Sequence, residues 1–189
     1  MEVITEFTVT DLVVLVMLAG GVLVGFQQGT LRYILSSVAV LVAFVVASQL
    51  KGPIADALGT VWRAATPELQ ELWIYLVLFV GGIIGGWLLV RTVYRQTRLP
   101  IYRVLDEVGG AVTGVLFVVL VISLFLVTLD TYFAPLGQAA IESISVLGPL
   151  YLFLNDSVIV GWFQEYVIPI AGFVLRPFVP DDIDQYLGG

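Results

Sequence analysis

Two aspartates at the edges of long uncharged stretches are the residues of this chain most able to do chemistry. Asp11 precedes 20 uncharged positions, and Asp106 stands beside Glu107, which precedes another 22. A carboxylate inside a membrane often serves as a proton or ion site. A carboxylate at a helix N-terminus instead caps the helix and meets the positive end of its dipole. We expect Asp11 and Asp106 to be caps, with Thr10 as an alternative cap and Arg103 close enough to pair with Asp106.

Other reactive side chains are scarce. The chain contains no cysteine and no histidine, which excludes disulfides, thiolate nucleophiles, iron–sulfur clusters and His-ligated haem or zinc. The commonest general base is therefore missing as well. We predict no catalytic residue, no cofactor and no metal site, and so a protein that is not an enzyme.

Four stretches without a charged residue determine the architecture. They contain 20, 18, 19 and 22 consecutive uncharged positions, in a chain that is 59% hydrophobic. About 20 helical residues cross a hydrocarbon core about 30 Å thick, and a segment in lipid must satisfy its own backbone polar groups. The sequence predicts an all-α membrane protein whose residues 1–130 form a domain of four transmembrane helices. Their spans are expected at about 9–28, 31–50, 70–95 and 107–129.

Small residues recur four positions apart in these spans, where they share one helix face and let backbones approach closely. The stretch 25–29 also predicts a tight turn between the first two helices. The glycines serve either packing within the chain's own bundle, which we favour, or docking of a second copy or a partner. They are Gly21, Gly25 and Gly29 in span one, Gly81, Gly82, Gly85 and Gly86 in span three, and Gly110 and Gly114 in span four.

Basic residues predict the orientation. Arg91, Arg95 and Arg98 follow span three at spacing i, i+4, i+7, and the positive-inside rule puts them in the cytoplasm. Both termini then lie on the extracytoplasmic side of the membrane. The three arginines either determine topology alone or also hold anionic lipid, at about 1 kcal/mol each. A net charge of −7 and no aromatic platform beside them argue against nucleic-acid binding.

Residues 131–189 are apolar, but charged residues interrupt them too often for a further span. We expect amphipathic helices in the extracytoplasmic interface, followed by an acidic tail. A cap among residues 155–157 starts one helix, and Pro169 bends or ends it. Alternatively, this surface packs against another protein. The residues expected at headgroup depth are Trp162, Phe163 and Tyr166.

The order of the motifs resembles a known family. Asp11 is followed fourteen residues later by a turn from Gly25 to Gly29, and Asp106 is followed by Gly110 and Gly114. Over about residues 8–130 this pattern is similar to the bacterial colicin V production proteins. The resemblance implies an inner-membrane protein with four spans, connected with toxin production or secretion and with envelope homeostasis, and it implies no biochemical activity. Family members often carry basic residues where this chain has Gln27-Gln28.

Three functional hypotheses follow. The first is a non-catalytic membrane scaffold or accessory protein that acts through helix packing with partners. The second is a structural accessory subunit of a larger, energy-transducing membrane complex. The third is an oligomeric channel or transporter. The expected partners are membrane lipids and other membrane proteins or a second copy, with no nucleic acid.

Overall fold

The computed structural model describes residues 7–58, 67–93, 103–136, 141, 144, 147–180 and 183, and every regular element among them is helical. Within these described ranges, four helices are long and apolar enough to cross a membrane, which confirms the all-α, four-span prediction. In chain order, the elements are α1 (Val9–Gln28), α2 (Thr30–Leu58), α3 (Pro67–Val93), α4 (Arg103–Phe133), α5 (Leu147–Asn155), α6 (Val158–Trp162), a π-helical turn (Phe163–Val167), α7 (Ile168–Leu175) and a 3₁₀ turn (Arg176–Phe178).

Helix α1 has the predicted length, but the turn after it is shorter than predicted. Gly25 to Gln28 remain helical, and only Gly29 leaves the helix, with φ +84° and its N–H donated to the Gly25 carbonyl at 3.0 Å. Such a backbone conformation strongly favours glycine. A single glycine therefore joins α1 to α2, and the expected five-residue turn is wrong.

Helix α2 continues past its predicted end at residue 50 to Leu58, through Lys51 and Pro53. Lys51 is only 5% exposed, and its Nζ lies 5.0 Å from the ring centre of Tyr132 on α4. An aromatic face attracts an ammonium group, which helps α2 to accommodate this charge within the protein. The connection expected between the spans at 31–50 and 70–95 is accordingly shorter, because its first eight residues are helical.

The closest backbone approaches place the spanning helices in the order α1–α4–α2–α3. Helix α3 packs along α2, where Phe44 meets Tyr75 and Phe79 edge to face at ring distances of 6.1 and 5.9 Å. It reaches α4 through side chains near its own start, with Leu72 in the same apolar cluster as Leu129. The bundle is therefore open along one side of α3.

The helices after α4 lie across one end of this bundle. We call residues 158–178 the strap, the end they cover the strap end, and the opposite end, at Gly29, the turn end. The Ile159 N–H donates to Asp11 on α1, Gln164 donates to Asp130 on α4, and Gln49 on α2 donates to the Phe178 carbonyl. The strap therefore joins three of the four spanning helices.

Pro169 does not end this helix, contrary to one expectation. The π-helical turn ends two residues before Pro169, and the Ile168 N–H is bonded to the Phe163 carbonyl five residues earlier. A proline ring clashes with the carbonyl four residues before it and lacks an N–H, and the wider π turn relaxes that constraint. The chain therefore stays helical to Leu175.

Candidate functional site: carboxylates shared between helix N-termini

Asp11 is completely buried, and four hydrogen bonds reach its carboxylate. Oδ2 accepts from the backbone N–H of Thr8 at 2.7 Å and from its hydroxyl at 2.8 Å. Oδ1 accepts from the Ser157 hydroxyl at 2.6 Å and from the Ile159 N–H at 2.9 Å. A carboxylate has about four acceptor sites, so these donors fill them all.

Asp11 is therefore the N3 residue of a capping box, three positions after the N-cap, rather than the cap itself. Thr8 is the N-cap of α1, and its hydroxyl oxygen also accepts the Asp11 N–H at 3.4 Å. Threonine followed three residues later by an acid is a readable signature of this motif, and the expectation that named Asp11 or Thr10 as the cap overlooked it. The Thr10 hydroxyl instead donates to the Phe153 carbonyl of α5 at 2.9 Å.

The same carboxylate also reaches the start of α6. Ser157 is the N-cap of that helix, and its hydroxyl oxygen accepts the Val160 N–H at 3.2 Å. Asp11 adds an acceptor for the next orphan donor, the Ile159 N–H. The first turn of a helix leaves several N–H groups unsatisfied. One side chain on α1 thus completes the N-termini of two helices whose N-caps, Thr8 and Ser157, are 149 positions apart in sequence.

Asp106 has a parallel position at the turn end. Its Oδ1 accepts the Thr30 N–H at the start of α2 at 2.9 Å, and the Thr30 hydroxyl donates to the Asp106 carbonyl at 3.1 Å. Since α4 begins at Arg103, Asp106 lies inside the first turn of its own helix. It caps α2 rather than span four, because α2 follows Gly29 directly and needs an acceptor for its first N–H. The side chain of Arg103 lies outside the described part of the chain.

The carboxylate of Asp106 occupies the space beside Gly29. A Cβ built at Gly29 would lie 2.5 Å from Asp106 Oδ2. Together with the positive φ, this contact explains why the turn between α1 and α2 requires glycine. Gly29 of the first sequence motif and Asp106 of the second are therefore in direct contact, which joins the α1–α2 turn to α4.

Glycines hold α1 and α4 at backbone contact. A Cβ on Gly25 would overlap the Gly110 carbonyl, and a Cβ on Gly114 would overlap the Gly21 carbonyl. Because all four residues lack side chains, the two helices approach closely over two turns. The sequence pattern predicted the faces involved but not which helices they would bring together.

Two of the four glycines in span three pack against another helix of the described chain. A Cβ on Gly82 would lie 2.6 Å from the Cβ of Ala43, and one on Gly86 would lie 2.7 Å from that of Ala39, so both pack against α2. A Cβ on Gly81 or Gly85 would meet no atom within 4 Å. Those two glycines therefore lie on a face of α3 that the described chain leaves uncovered.

Of the three arginines singled out, Arg91 is exposed at the end of α3, and its guanidinium lies 5.1 Å from the ring centre of Trp87. This distance is within the range of a cation–π contact. Arg95 and Arg98 lie outside the described residues. The predicted arginine face is therefore represented by its first member alone.

The three aromatic residues that were expected in the interface lie on two different faces of the strap. Trp162 and Tyr166 are exposed, with ring centres 5.0 Å apart. Phe163 is only 6% exposed and packs in the core with Val127 and Val160. The expectation for Phe163 is wrong, because adjacent helical residues point in different directions and Phe163 falls on the face toward α4.

The exposed face of the strap continues beyond Tyr166 to Ile170 and Phe173, the last of which is 85% exposed. Beneath it, the strap contributes Val160, Phe163 and Ile168 to the core. The strap is therefore apolar both toward the bundle and away from it.

Hydroxyl groups inside the spans mostly bond to their own helices. Ser123, Thr128 and Thr131 donate to carbonyls four residues earlier on α4, at 2.8 Å each. Ser37 on α2 and Thr113 on α4 do the same at 2.9 Å. These bonds occupy the hydroxyl protons of several residues that would otherwise be candidates for a polar pore lining. Among the described residues, no group of three acids has the geometry of a metal site.

A comparison with known families agrees with this architecture. The family model described as Colicin V production protein matches residues 10–167, which include all four spanning helices, both aspartates and much of the strap. No curated protein and no solved structure gives a significant match. Since the family model covers more than half of the chain, this multi-pass membrane protein belongs to the colicin V production protein family.

Proposed function

We propose that this protein is a non-catalytic scaffold or accessory protein of the bacterial inner membrane, and that it acts by packing against other membrane proteins. Its family is not known as a catalytic one. Both buried motif acids serve helix N-termini: Asp11 receives four hydrogen bonds, and Asp106 accepts the Thr30 N–H. The two residues most able to do chemistry therefore have a structural role.

One observation carries the proposal: the strap presents an apolar, partly aromatic face that the described chain does not cover. Trp162 is 62% exposed, and Tyr166, Ile170 and Phe173 are exposed on the same strap. Helices that lie in the membrane–water interface commonly place aromatic rings against lipid headgroups. A contiguous exposed apolar patch also marks a site for a protein partner. The second copy, a partner protein and the lipid surface are thus the candidates for what this face meets.

The orientation that we propose places the strap and both termini outside the cytoplasm. Arg91 lies at the turn end of α3, Arg95 and Arg98 follow in the connection to α4, and Arg103 is the first residue of α4. The positive-inside rule places that connection in the cytoplasm. Because the natural chain has no cysteine, single cysteines at Arg95 and Asp182 report the two sides. A membrane-impermeant thiol reagent should label Asp182→Cys in whole cells and Arg95→Cys only in opened ones; the reverse pattern would overturn the orientation.

The partner role is tested by site-specific photocrosslinking in living cells. A photoreactive residue at Phe173 should yield discrete adducts with a membrane protein, which mass spectrometry then identifies. The matched control is Val16, which is 63% exposed on α1 and away from the strap. Adducts of the same identity and yield at both positions would indicate random collisions and would contradict the proposal.

A genetic arm connects this contact with the family's role in toxin production and envelope homeostasis. The gene is deleted, and the cells are scored for sensitivity to envelope stress and for secretion of a peptide toxin. Phe173→Ala should fail to restore the normal phenotype, whereas Val16→Ala should restore it. Normal complementation by the Phe173 variant would show that this face is not needed.

The accessory-subunit hypothesis differs from the free-scaffold hypothesis in that it requires a fixed ratio of this protein to its complex. The exposed apolar face of the strap favours it, because permanent interfaces are more apolar than transient ones. After extraction in a mild detergent, a fixed subunit should co-purify with its complex in a constant ratio, whereas a free scaffold should dissociate in part. Solute or ion flux through liposomes that contain the purified protein alone would contradict both hypotheses and support a channel or transporter.

A further inference from the structure

The first turns of α1 are held in place by residues that follow the four spans. Within the described length of α1, three residues before position 21 are buried, namely Thr10, Asp11 and Val14. Thr10 donates its hydroxyl to the Phe153 carbonyl, and Asp11 accepts the hydroxyl of Ser157. Val14 lies in the same apolar cluster as the buried residues of the strap. All three buried residues at this end of α1 are therefore linked to the segment after α4.

The start of the strap depends on α1 in return. Helix α6 has only five residues, and so short a helix is not stable by itself, because the first turn of a helix is costly to form. Two side chains supply acceptors for its first N–H groups: Ser157 for Val160 and Asp11 for Ile159. If α1 moves away, this turn loses one of those two acceptors, and the Ser157 hydroxyl loses its own acceptor as well.

A single rigid group joins the two helix starts. Oδ2 of Asp11 holds the two donors of Thr8, and Oδ1 holds the donors of Ser157 and Ile159. If the first turn of α1 unwinds, the carboxylate moves with it and the two bonds to the strap are lost. If the strap leaves, a carboxylate that is now completely buried keeps only half of its donors. Burial of an ionised group without partners is costly, so this loss favours unwinding of the turn that carries Asp11.

The polar attachments farther along the strap lead to other helices. Gln164 donates to Asp130 on α4 at 3.2 Å, and Gln49 on α2 donates to the Phe178 carbonyl at 2.9 Å. Neither bond uses the Asp11 carboxylate. The later part of the strap can therefore stay on α4 and α2 while its first turn opens, and the link to α1 is confined to the start of the strap.

We infer that residues 8–14 of α1 and residues 157–163 of the strap open and close as one cooperative unit, with the Asp11–Ser157 hydrogen bond as the joint between them. The unit passes a change at the strap on to a spanning helix. A molecule that stabilises the start of the strap also stabilises the start of α1, and one that displaces it releases both. Coupling of this kind acts equally in the two directions. The inference does not depend on the scaffold role.

Hydrogen–deuterium exchange of the purified full-length protein in detergent tests the coupling. Ser157→Ala removes the cap of α6 and the hydroxyl donor to Asp11, so the amides of residues 159–161 should exchange faster. In a cooperative unit the amides of residues 8–12 should accelerate by a similar factor, about 5-fold or more for the loss of one buried hydrogen bond. Ser157→Thr keeps the hydroxyl and should retain slow exchange in both segments. Acceleration of residues 159–161 alone in Ser157→Ala would overturn the inference.

The reverse experiment starts from α1. Thr8→Ala removes the cap of α1 and one donor to the Asp11 carboxylate, and it should accelerate exchange of residues 159–161, far away in sequence. This variant also tests the coupling if Ser157→Ala does not fold. Unchanged exchange of residues 159–161 in Thr8→Ala, together with faster exchange at the start of α1, would show that the two segments open independently.

The matched control loosens the strap at a different point. Gln164→Ala removes the bond to Asp130 on α4 and leaves every donor to Asp11 in place. Residues 8–12 should therefore exchange as slowly in this variant as in the natural protein. If Gln164→Ala accelerates residues 8–12 as much as Ser157→Ala does, the effect is a general loosening of the strap, and the inference is wrong.

Discussion

The hydroxyl of Ser157 donates to the carboxylate of Asp11 across 2.6 Å, in a pair separated by 146 positions in sequence. Asp11 belongs to the first turn of α1, and Ser157 is the N-cap of α6. The bond therefore attaches the segment after the four spans to the beginning of the first. Because both partners are buried, the loss of either leaves an unsatisfied polar group inside the protein.

Replacement of Asp11 by Asn should loosen the strap. An amide carries only one oxygen, so at least two of the four donors that now point at the carboxylate would face an NH₂ group or lose their partner. We expect a destabilisation of about 1–3 kcal/mol, seen as a lower unfolding temperature in detergent and as faster proteolysis after residue 155. Asp156→Asn, an exposed acid one residue before the α6 cap, serves as the control and should behave like the natural protein.

Replacement of Asp106 distinguishes a cap from a charged site. Asp106→Asn keeps an oxygen that can accept the Thr30 N–H, so assembly and phenotype should be close to normal. Asp106→Ala removes that acceptor and should cost about 0.5–2 kcal/mol, measured as thermal unfolding in detergent. A null phenotype for the Asn variant with unchanged stability would instead indicate a role that needs the charge.

Two single-methyl substitutions test the glycine contacts. Gly25→Ala places a Cβ against the Gly110 carbonyl, and we expect overpacking to destabilise the α1–α4 pair by about 1–3 kcal/mol. Gly81→Ala places its Cβ in open space, and the stronger helix propensity of alanine should stabilise α3 by about 0.5–1 kcal/mol. Thermal unfolding of the two variants in the same detergent gives the comparison. Equal destabilisation by both would mean that α3 also uses Gly81 in a contact.

The fluorescence of Trp162 should report where the strap lies. In a variant with Phe at Trp62, Trp73 and Trp87, the remaining indole is the exposed Trp162, paired with Tyr166. An indole at an interface sits at headgroup depth, so lipids brominated near the headgroup should quench it more than lipids brominated near the chain end. Weak quenching by every brominated lipid would instead indicate that a protein covers this face.

The burial of the Lys51 ammonium group should depend on the aromatic ring of Tyr132. Its Nζ lies 5.0 Å from the Tyr132 ring centre, and a desolvated cation–π contact is worth about 2 kcal/mol. Tyr132→Leu should therefore lower the stability in detergent by more than Tyr132→Phe, which keeps the ring face. If the two variants are equally stable, the ring does not stabilise the buried ammonium.

The sequence by itself determined the class of the molecule and the number of its spans. A charge is costly in hydrocarbon, and a backbone there must bond to itself, so a run of about 20 uncharged residues predicts a helix wherever it occurs. The same local logic predicted the small-residue faces, and the capping box of Thr8 and Asp11 was readable as well.

Only the tertiary structure decided which surfaces meet. Two partners of Asp11, Ser157 and Ile159, are more than 140 positions away, and Asp106 lies 76 positions from Thr30. A local pattern cannot specify such pairs, because many helix faces carry compatible small or polar residues. For the same reason, a local pattern cannot tell that Phe163 is buried while Trp162 is exposed. Nor can it tell that Gly82 packs against α2 while Gly81 is uncovered. In each pair the neighbours are chemically similar, and the position of a distant helix decides which one is buried.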